Sequence, residues 1–116
     1  MSFFRKELID FALDQETRRA IEEQQAQIAA EPSNPRPYYQ LALLYRMQWK
    51  HDEALGLLLE SVRLDPAFTP AHVALAEMYA VRKDMEAARR HAELAAEQGN
   101  FEAREMLERY SAETSE

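Results

Sequence analysis

The stretch YYQLALLYRMQWKHDEALGLLLESVRLDP, residues 38–66, decides the fold because its order of large and small residues returns 34 positions further along the chain. The residues that coincide under this shift are Leu41 with Leu75, Ala42 with Ala76, Tyr45 with Tyr79 and Ala54 with Ala88. Pro32 and Pro66 are separated by the same interval, so each unit closes at a residue that stops a helix. A fixed period of this length indicates a repeat protein.

The residue types of the chain are those of helices. Its 116 residues include only 2 Gly and 5 Pro, which leaves little material for the turns of a β-hairpin, whereas Ala, Leu, Glu, Arg and Gln are abundant. The length suits one domain. We therefore expect a single all-α domain.

The repeated positions resemble the tetratricopeptide repeat family, whose pattern runs from a large aromatic residue through Leu, a small residue and Tyr to a later Ala and a closing Pro. The middle unit fits this pattern best, with Tyr38, Leu41, Ala42, Tyr45, Ala54, Leu58 and Pro66. The third unit fits with His72, Leu75, Ala76, Tyr79, Ala88 and Ala92, and Asn100 replaces the proline. The first unit is degenerate, with Phe4, Leu8, Phe11, Ala20 and Pro32 but Glu7 and Gln24 at apolar positions.

The resemblance implies antiparallel helix-hairpin repeats stacked in a right-handed superhelical solenoid with a C-terminal capping helix. On this alignment residues 1–34 are a degenerate repeat, residues 35–68 and 69–102 are full repeats, and residues 103–116 are a capping helix with a frayed tail. Residues 1–31 leave two alternatives open, because no Gly or Pro lies between Leu13 and Glu31. They form either a hairpin that turns at Asp14 to Thr17 or one long helix.

Charge and composition exclude several classes of function. A net charge of −7 argues against general nucleic-acid binding, which requires clustered Lys and Arg. The absence of cysteine excludes disulfides and thiolate metal sites. No apolar run approaches the roughly 20 residues needed to span a bilayer, and the first residues lack the features of a secretory signal. We expect a cytoplasmic protein that does not act at a membrane.

The segment YRMQWKHDEA, residues 45–54, places His51 beside two acidic residues, but consecutive residues of a helix do not converge on one ligand. The repeat register puts this segment at the turn of a hairpin, where Asp52 and Glu53 complement the dipole of the second helix and His51 takes a partly buried packing position. Trp49 stands where the family usually has glycine. His72 takes an aromatic position and His91 faces outward. We expect no metal, no cofactor and no enzymatic activity.

The resemblance implies a protein-binding module in which the first helices of successive hairpins line a concave groove for a protein or peptide partner. If Leu8, Phe11, Leu41, Tyr45, Leu75 and Tyr79 face the core, helical spacing identifies the lining of the groove. Its residues are Arg5, Ile9, Leu13, Arg36, Tyr39, Gln40, Leu43, Arg46, Met47, Val73, Ala74, Glu77 and Val81. Such a largely apolar lining with excess positive charge suits an apolar segment that carries a carboxylate. The alternative is that another segment of the protein, or a second subunit, fills the groove.

A second apolar surface is predicted on the outer face of the middle repeat. Leu57 and Leu59 stand where both other repeats have polar residues, and Gly56 in mid-helix would permit close backbone approach. These three residues are a candidate contact in a homodimer, which makes a self-assembling structural subunit the alternative to an adaptor. Burial of the two leucines within the fold is the competing interpretation.

Overall fold

In the computed structural model, which describes residues 2–114 and the side chains of residues 5–113, the chain is entirely helical apart from short connections. The described residues form six α-helices: α1 (Ser2–Ala30), α2 (Pro35–Met47), α3 (His51–Leu64), α4 (Thr69–Val81), α5 (Met85–Glu97) and α6 (Glu102–Thr114). Helices α2 and α3 form one hairpin and α4 and α5 a second, and α1 and α6 pack at opposite ends of this pair. The predicted all-α repeat solenoid is confirmed.

Small side chains allow the two helices of each hairpin to approach closely. Ala42 and Ala54 are at most 1% exposed and belong to one core cluster, and Ala76 and Ala88 are fully buried in another. Any larger side chain at these crossings would push the helices apart. The small residues that the repeat pattern predicted therefore fix the geometry of both hairpins.

The turns of the two hairpins are built alike, although neither contains glycine. Trp49 has a φ of 63° and Lys83 a φ of 65°, and both therefore lie in the left-handed region that disfavours side chains. After each turn residue, a backbone amide donates to a tyrosine carbonyl of the preceding helix, Lys50 N to Tyr45 O and Asp84 N to Tyr79 O, both at 2.9 Å. These bonds satisfy helix-end carbonyls and stabilise the strained turns.

Helices α2 and α4 begin differently. Asn34 caps α2, since its side chain accepts a hydrogen bond from Arg36 N at 3.1 Å and Pro35 begins the helix. Thr69 is the first residue of α4, and its hydroxyl donates to Ala67 O instead of accepting from the helix.

Helix α1 settles the alternative that the sequence left open. It runs unbroken from Ser2 to Ala30, so residues 1–31 do not turn at Asp14 to Thr17 to form a hairpin. Thr17 Oγ donates to Leu13 O at 3.0 Å, a bond within the continuous helix. As a result Leu8 and Phe11, which were expected to face the core, are 55% and 63% exposed. The half-buried residues of α1 lie in its second half, and among them Thr17, Ile21, Gln24 and Ile28 have helical spacing.

Helix α6 covers the other end of the solenoid, as the sequence predicted. Ala103 and Leu107 are buried in the cluster that contains Ala76 and Ala88, and Met106 packs beside them. The helix continues through Thr114, and the predicted fraying of the tail stays a prediction. Ser115 and Glu116 lie outside the described residues.

The two glycines give a matched test of the local backbone. Gly56 lies in the middle of α3, and a Cβ there would meet nothing within 4 Å. Gly56→Ala should therefore raise the free energy of unfolding by about 0.5–1 kcal/mol through its helix propensity. Gly99 has a φ of 89°, so Gly99→Ala should lower that free energy by a similar amount. Urea denaturation of both variants measures the difference, and a destabilised Gly56→Ala would reveal a contact at this position.

Candidate functional site

The first helices of the two complete hairpins line a shallow groove. Between α2 and α4 lies a cavity of about 220 Å³ that reaches the start of α6. Its lining residues are Tyr39, Leu43, Arg46, Pro70, Val73, Ala74, Glu77, Asn100 and Glu102. Six of these were in the predicted lining, and the contribution of α6 was not foreseen. The structure therefore brings the α2 and α4 parts of the predicted set together.

An ion pair crosses the middle of this groove. Arg46 of α2 lies 3.1 Å from the carboxylate of Glu77 in α4, and each side chain is about a third exposed, at 36% and 34%. The positive charge of Arg46 is thus already compensated within the protein. Glu102 also lines the cavity, so the expected excess of positive charge is absent there, and Arg36 at the edge of the groove has no partner among the described ion pairs.

Aromatic contacts shape the end of the groove where α2 begins. The Tyr39 ring meets the ring of Phe68 edge-on with centroids 5.7 Å apart, and the guanidinium of Arg36 lies 5.6 Å from the centre of the same ring. Arg36 remains exposed there. A cation held over an aromatic face keeps its charge accessible to an anionic partner.

A second, more apolar cavity continues the surface from Arg46 toward the hairpin turns. It measures about 300 Å³ and is lined by Arg46, His51, Met78, Val81 and Arg82. Val81 is 81% exposed, and Met47, at the matching end of α2, is 68% exposed. Both belong to the predicted lining, and although Met47 lines neither cavity, each helix ends in an exposed apolar residue at this side of Arg46.

Some predicted lining residues lie outside the two cavities, and Ala74, which lines one of them, is largely buried. Arg5, Ile9 and Leu13 are exposed on the first half of α1 and line neither cavity, because α1 continues straight instead of returning as a first helix. Gln40 is half-buried beside the groove, and Ala74 is only 5% exposed because it also belongs to the core. The groove is therefore lined by α2 and α4 rather than by three successive first helices.

The three residues of the candidate contact on α3 lie in different environments. Leu57 is half-buried and packs against the core cluster, which favours burial within the fold, whereas Leu59 is 40% exposed. The repeat places Leu57 at the position of His91, inside the hairpin. Gly56 is exposed and no other segment approaches it. A subunit contact at this face stays a prediction, and Leu59 is its exposed leucine.

Two histidines from different helices, His72 and His91, contact each other in the structure, and this contact was not predicted. His72 is 3% exposed, and its Nδ1 lies 3.0 Å from Nδ1 of His91, while its Nε2 lies 2.7 Å from the carbonyl of Pro66. A carbonyl can only accept, so His72 Nε2 carries a proton and, in the neutral pair, His91 Nδ1 donates to His72 Nδ1. His91 also stacks on Tyr79 at 5.7 Å. The expectation that His91 faces outward is wrong, because this position points into its own hairpin.

Burial lowers the pKa of His91 to about 4, and the nearby charges of His72 and Arg90 add to the effect. Trp49 and His51, by contrast, are exposed and meet edge-on at 5.5 Å. The partly buried role expected for His51 is therefore wrong. Among the described residues no cluster of three or more His, Cys, Asp or Glu could hold a metal, and no helix is long and apolar enough to cross a membrane.

Comparisons with known proteins agree with this architecture. The profile of the tetratricopeptide repeat family matches residues 14–90. No curated protein matches the sequence significantly. The match begins where the first half of α1 ends, which is consistent with two complete hairpins preceded by a single helix.

Three similar solved structures are of MamA. A crystal structure of MamA superposes with a TM-score of 0.67 at 25% identity and covers 82% of this chain and 55% of that chain. The RS-1 MamA ArsTM double mutant has a TM-score of 0.65 at 26% identity, with 81% of this chain and 52% of that chain covered. MamA 41-end from Desulfovibrio magneticus RS-1 has a TM-score of 0.64, with the same identity and coverage. The chain thus spans about half the length of the structures it matches.

The histidine pair predicts a specific pH dependence. Because the pKa of His91 is about 4 in the folded protein and ordinarily 6.5, the unfolded chain binds a proton between these values that the folded chain does not. Stability should be complete above pH 6.5 and decrease as the pH falls toward 4. His91→Gln, which keeps a donor for His72, should flatten this decrease in melting temperature. His51→Gln, which removes an exposed imidazole, is the control, and an unchanged slope in His91→Gln would contradict the assignment.

Proposed function

The chain belongs to the tetratricopeptide repeat family, and we propose that it is a non-enzymatic adaptor that binds a short apolar segment of a partner protein in the groove between α2 and α4. The family fold suggests a protein-interaction scaffold. The observation that carries the finer proposal is the continuous, partly apolar surface formed by the two cavities that share Arg46.

Apolar side chains of the groove would provide contact area for a ligand, and charged side chains would orient it. Leu43 and Val73 line the cavity between the helices and are half-buried, so a ligand can cover what remains exposed. Met47 and Val81 extend this apolar area past Arg46 and lose the most solvent contact when covered. Burial of such side chains supplies most of the affinity in helical-repeat recognition of a peptide.

Charges in the groove would set the direction of the bound segment. The Arg46–Glu77 pair offers a cation and an anion side by side, each partly exposed. A ligand carboxylate can displace Glu77 only at the expense of a bond that already exists, so Arg46 discriminates less than a free arginine would. Arg36 has no carboxylate partner among the described ion pairs and is held over Phe68. We therefore assign the partner carboxylate to the Arg36 end of the groove.

The acidic character of the rest of the protein supports a protein partner over a nucleic acid. A cytoplasmic location also stays a prediction. Homo-oligomerisation through the groove itself is the competing use of the same surface. Leu43→Glu separates the two in sedimentation velocity, because it would break an oligomer formed through the groove.

The adaptor proposal is tested with random octapeptides displayed on phage and selected on the wild-type protein. We expect enriched peptides to be apolar with an acidic residue, and their synthetic copies to bind with affinity that falls at least about tenfold in Leu43→Glu, because a charge then lies unpaired in the contact. Fluorescence polarisation measures the affinity. Leu59→Glu on the outer face of α3 is the matched control and should bind as wild type. Equal binding by Leu43→Glu and wild type would exclude the groove.

A further inference from the structure

We propose that the first repeat is completed between two copies of this chain. In this arrangement residues 2–13 of one copy pack as a first helix against residues 15–30 of a second copy, and the exchange is reciprocal, which gives a domain-swapped dimer. The inference goes beyond the groove and uses a different surface of the protein. Four observations carry it.

The first half of α1 exposes several large apolar side chains close together. Leu8, Ile9, Phe11 and Leu13 are each between 52% and 63% exposed, within six consecutive residues. All the described side chains of residues 5–13 are exposed. A concentration of large apolar side chains of this kind marks an interaction surface.

The second half of α1 lacks the covering helix that its equivalents possess. At corresponding positions Ala54 and Ser61 of α3 are fully buried by α2 within their own hairpin. In α1 the equivalent residues are Ala20, which is only half-buried, and Gln27, which is exposed. The face of α1 on which a first helix would lie is therefore open.

The sequence of residues 2–13 has the polarity that a terminal first helix requires. Leu75 shares a cluster with Leu58 of the preceding hairpin, so its position in the repeat faces the unit before it. The equivalent residue of the first unit is Glu7, which is exposed. Leu8 and Phe11, in contrast, correspond to positions that pack within the fold. A polar outer face over an apolar inner face is the pattern of an end-capping helix.

The continuous helix explains why the segment is exchanged and not folded back. The turns of the other hairpins place Trp49 and Lys83 in the left-handed region. The equivalent residue Gln15 is helical, and folding back within one chain would force it into that unfavourable region. Exchange between two copies forms the same contacts between residues 2–13 and 15–30 while the helix stays unbroken. Twelve helical residues extend ~18 Å, which is enough to cover this face.

The test uses cysteines, which the natural chain lacks. Leu8 and Ala20 correspond to Ala42 and Ala54, which share a core cluster, so the two positions should meet across the exchanged contact. In the variant L8C/A20C a short bis-maleimide should join two chains into a covalent dimer. The matched control L8C/A26C carries its second cysteine at the exposed Ala26, about 120° around the helix from Ala20.

Each outcome is distinct on a denaturing gel. A dimer band that is much more intense in L8C/A20C than in L8C/A26C supports the exchange. A crosslinked monomer of altered mobility would show a closed hairpin and overturn the proposal. Equal dimer bands in both variants would indicate direct pairing of Leu8 with Leu8, and bands no stronger than background would show that the two positions do not meet. Either result also overturns it.

Complementation supplies a second measurement that does not depend on crosslinking. Phe11→Asp places a charge in residues 2–13 and prevents this segment from packing. Ala20→Arg places a large charged side chain on residues 15–30 and blocks the face against which the segment packs. In sedimentation velocity each variant alone should be monomeric, whereas their mixture should form a heterodimer through the one segment and the one face that remain intact. Wild-type protein that is monomeric at all concentrations, or a mixture that fails to associate, overturns the proposal. Circular dichroism confirms that both variants are folded, and Leu43→Glu should leave the dimer unchanged.

Discussion

The close contact of alanines at the helix crossings is the constraint on which the rest of the structure depends. Ala42 and Ala54 share one core cluster, Ala76 and Ala88 share another, and all four have lost nearly all solvent exposure. This spacing sets the angle of each hairpin and leaves a gap between neighbouring hairpins for larger side chains. The groove follows from the same geometry, since it is the concave side of the resulting stack.

The outer faces of the two hairpins are covered differently by α6 and by α1. At the C-terminal end α6 lies across the last hairpin and buries Ala103 and Leu107. At the N-terminal end α1 supplies only a second helix, which packs on α2 through Ile21 and Ile28. Its extension past the body leaves apolar side chains in solvent, which is costly for a monomer. The asymmetry makes this end the more favourable place for association.

The predicted site shows where a linear pattern fails. Helical spacing selected six residues of α2 and α4 that line the cavity between these helices, because each helix has the assumed core face. The same spacing failed for Ile9 and Leu13, since the core face assumed for α1 does not exist when the helix does not fold back. The spacing also predicted that the charge of Arg46 is unpaired. It missed the ion pair with Glu77, 31 positions away, because that pair depends on how two helices lie side by side. The histidine pair was missed for a similar reason. Its two members come from different helices, and only their antiparallel packing joins them.

The sequence alone determined the helical class, the two complete hairpins, the alanine crossings and the covering role of α6. These features follow from residue type and spacing, which act locally and repeat with the period of the fold. Tertiary structure decided the course of residues 2–30, the pairing of Arg46 with Glu77 and the contact of His72 with His91. A turn at residues 14–17 would place Gln15 in the left-handed region, as at Trp49 and Lys83, but the repeat pattern alone does not show whether residues 2–30 turn or continue as a helix. The placement of charges and imidazoles depends on the same long-range packing, which a single linear pattern does not contain.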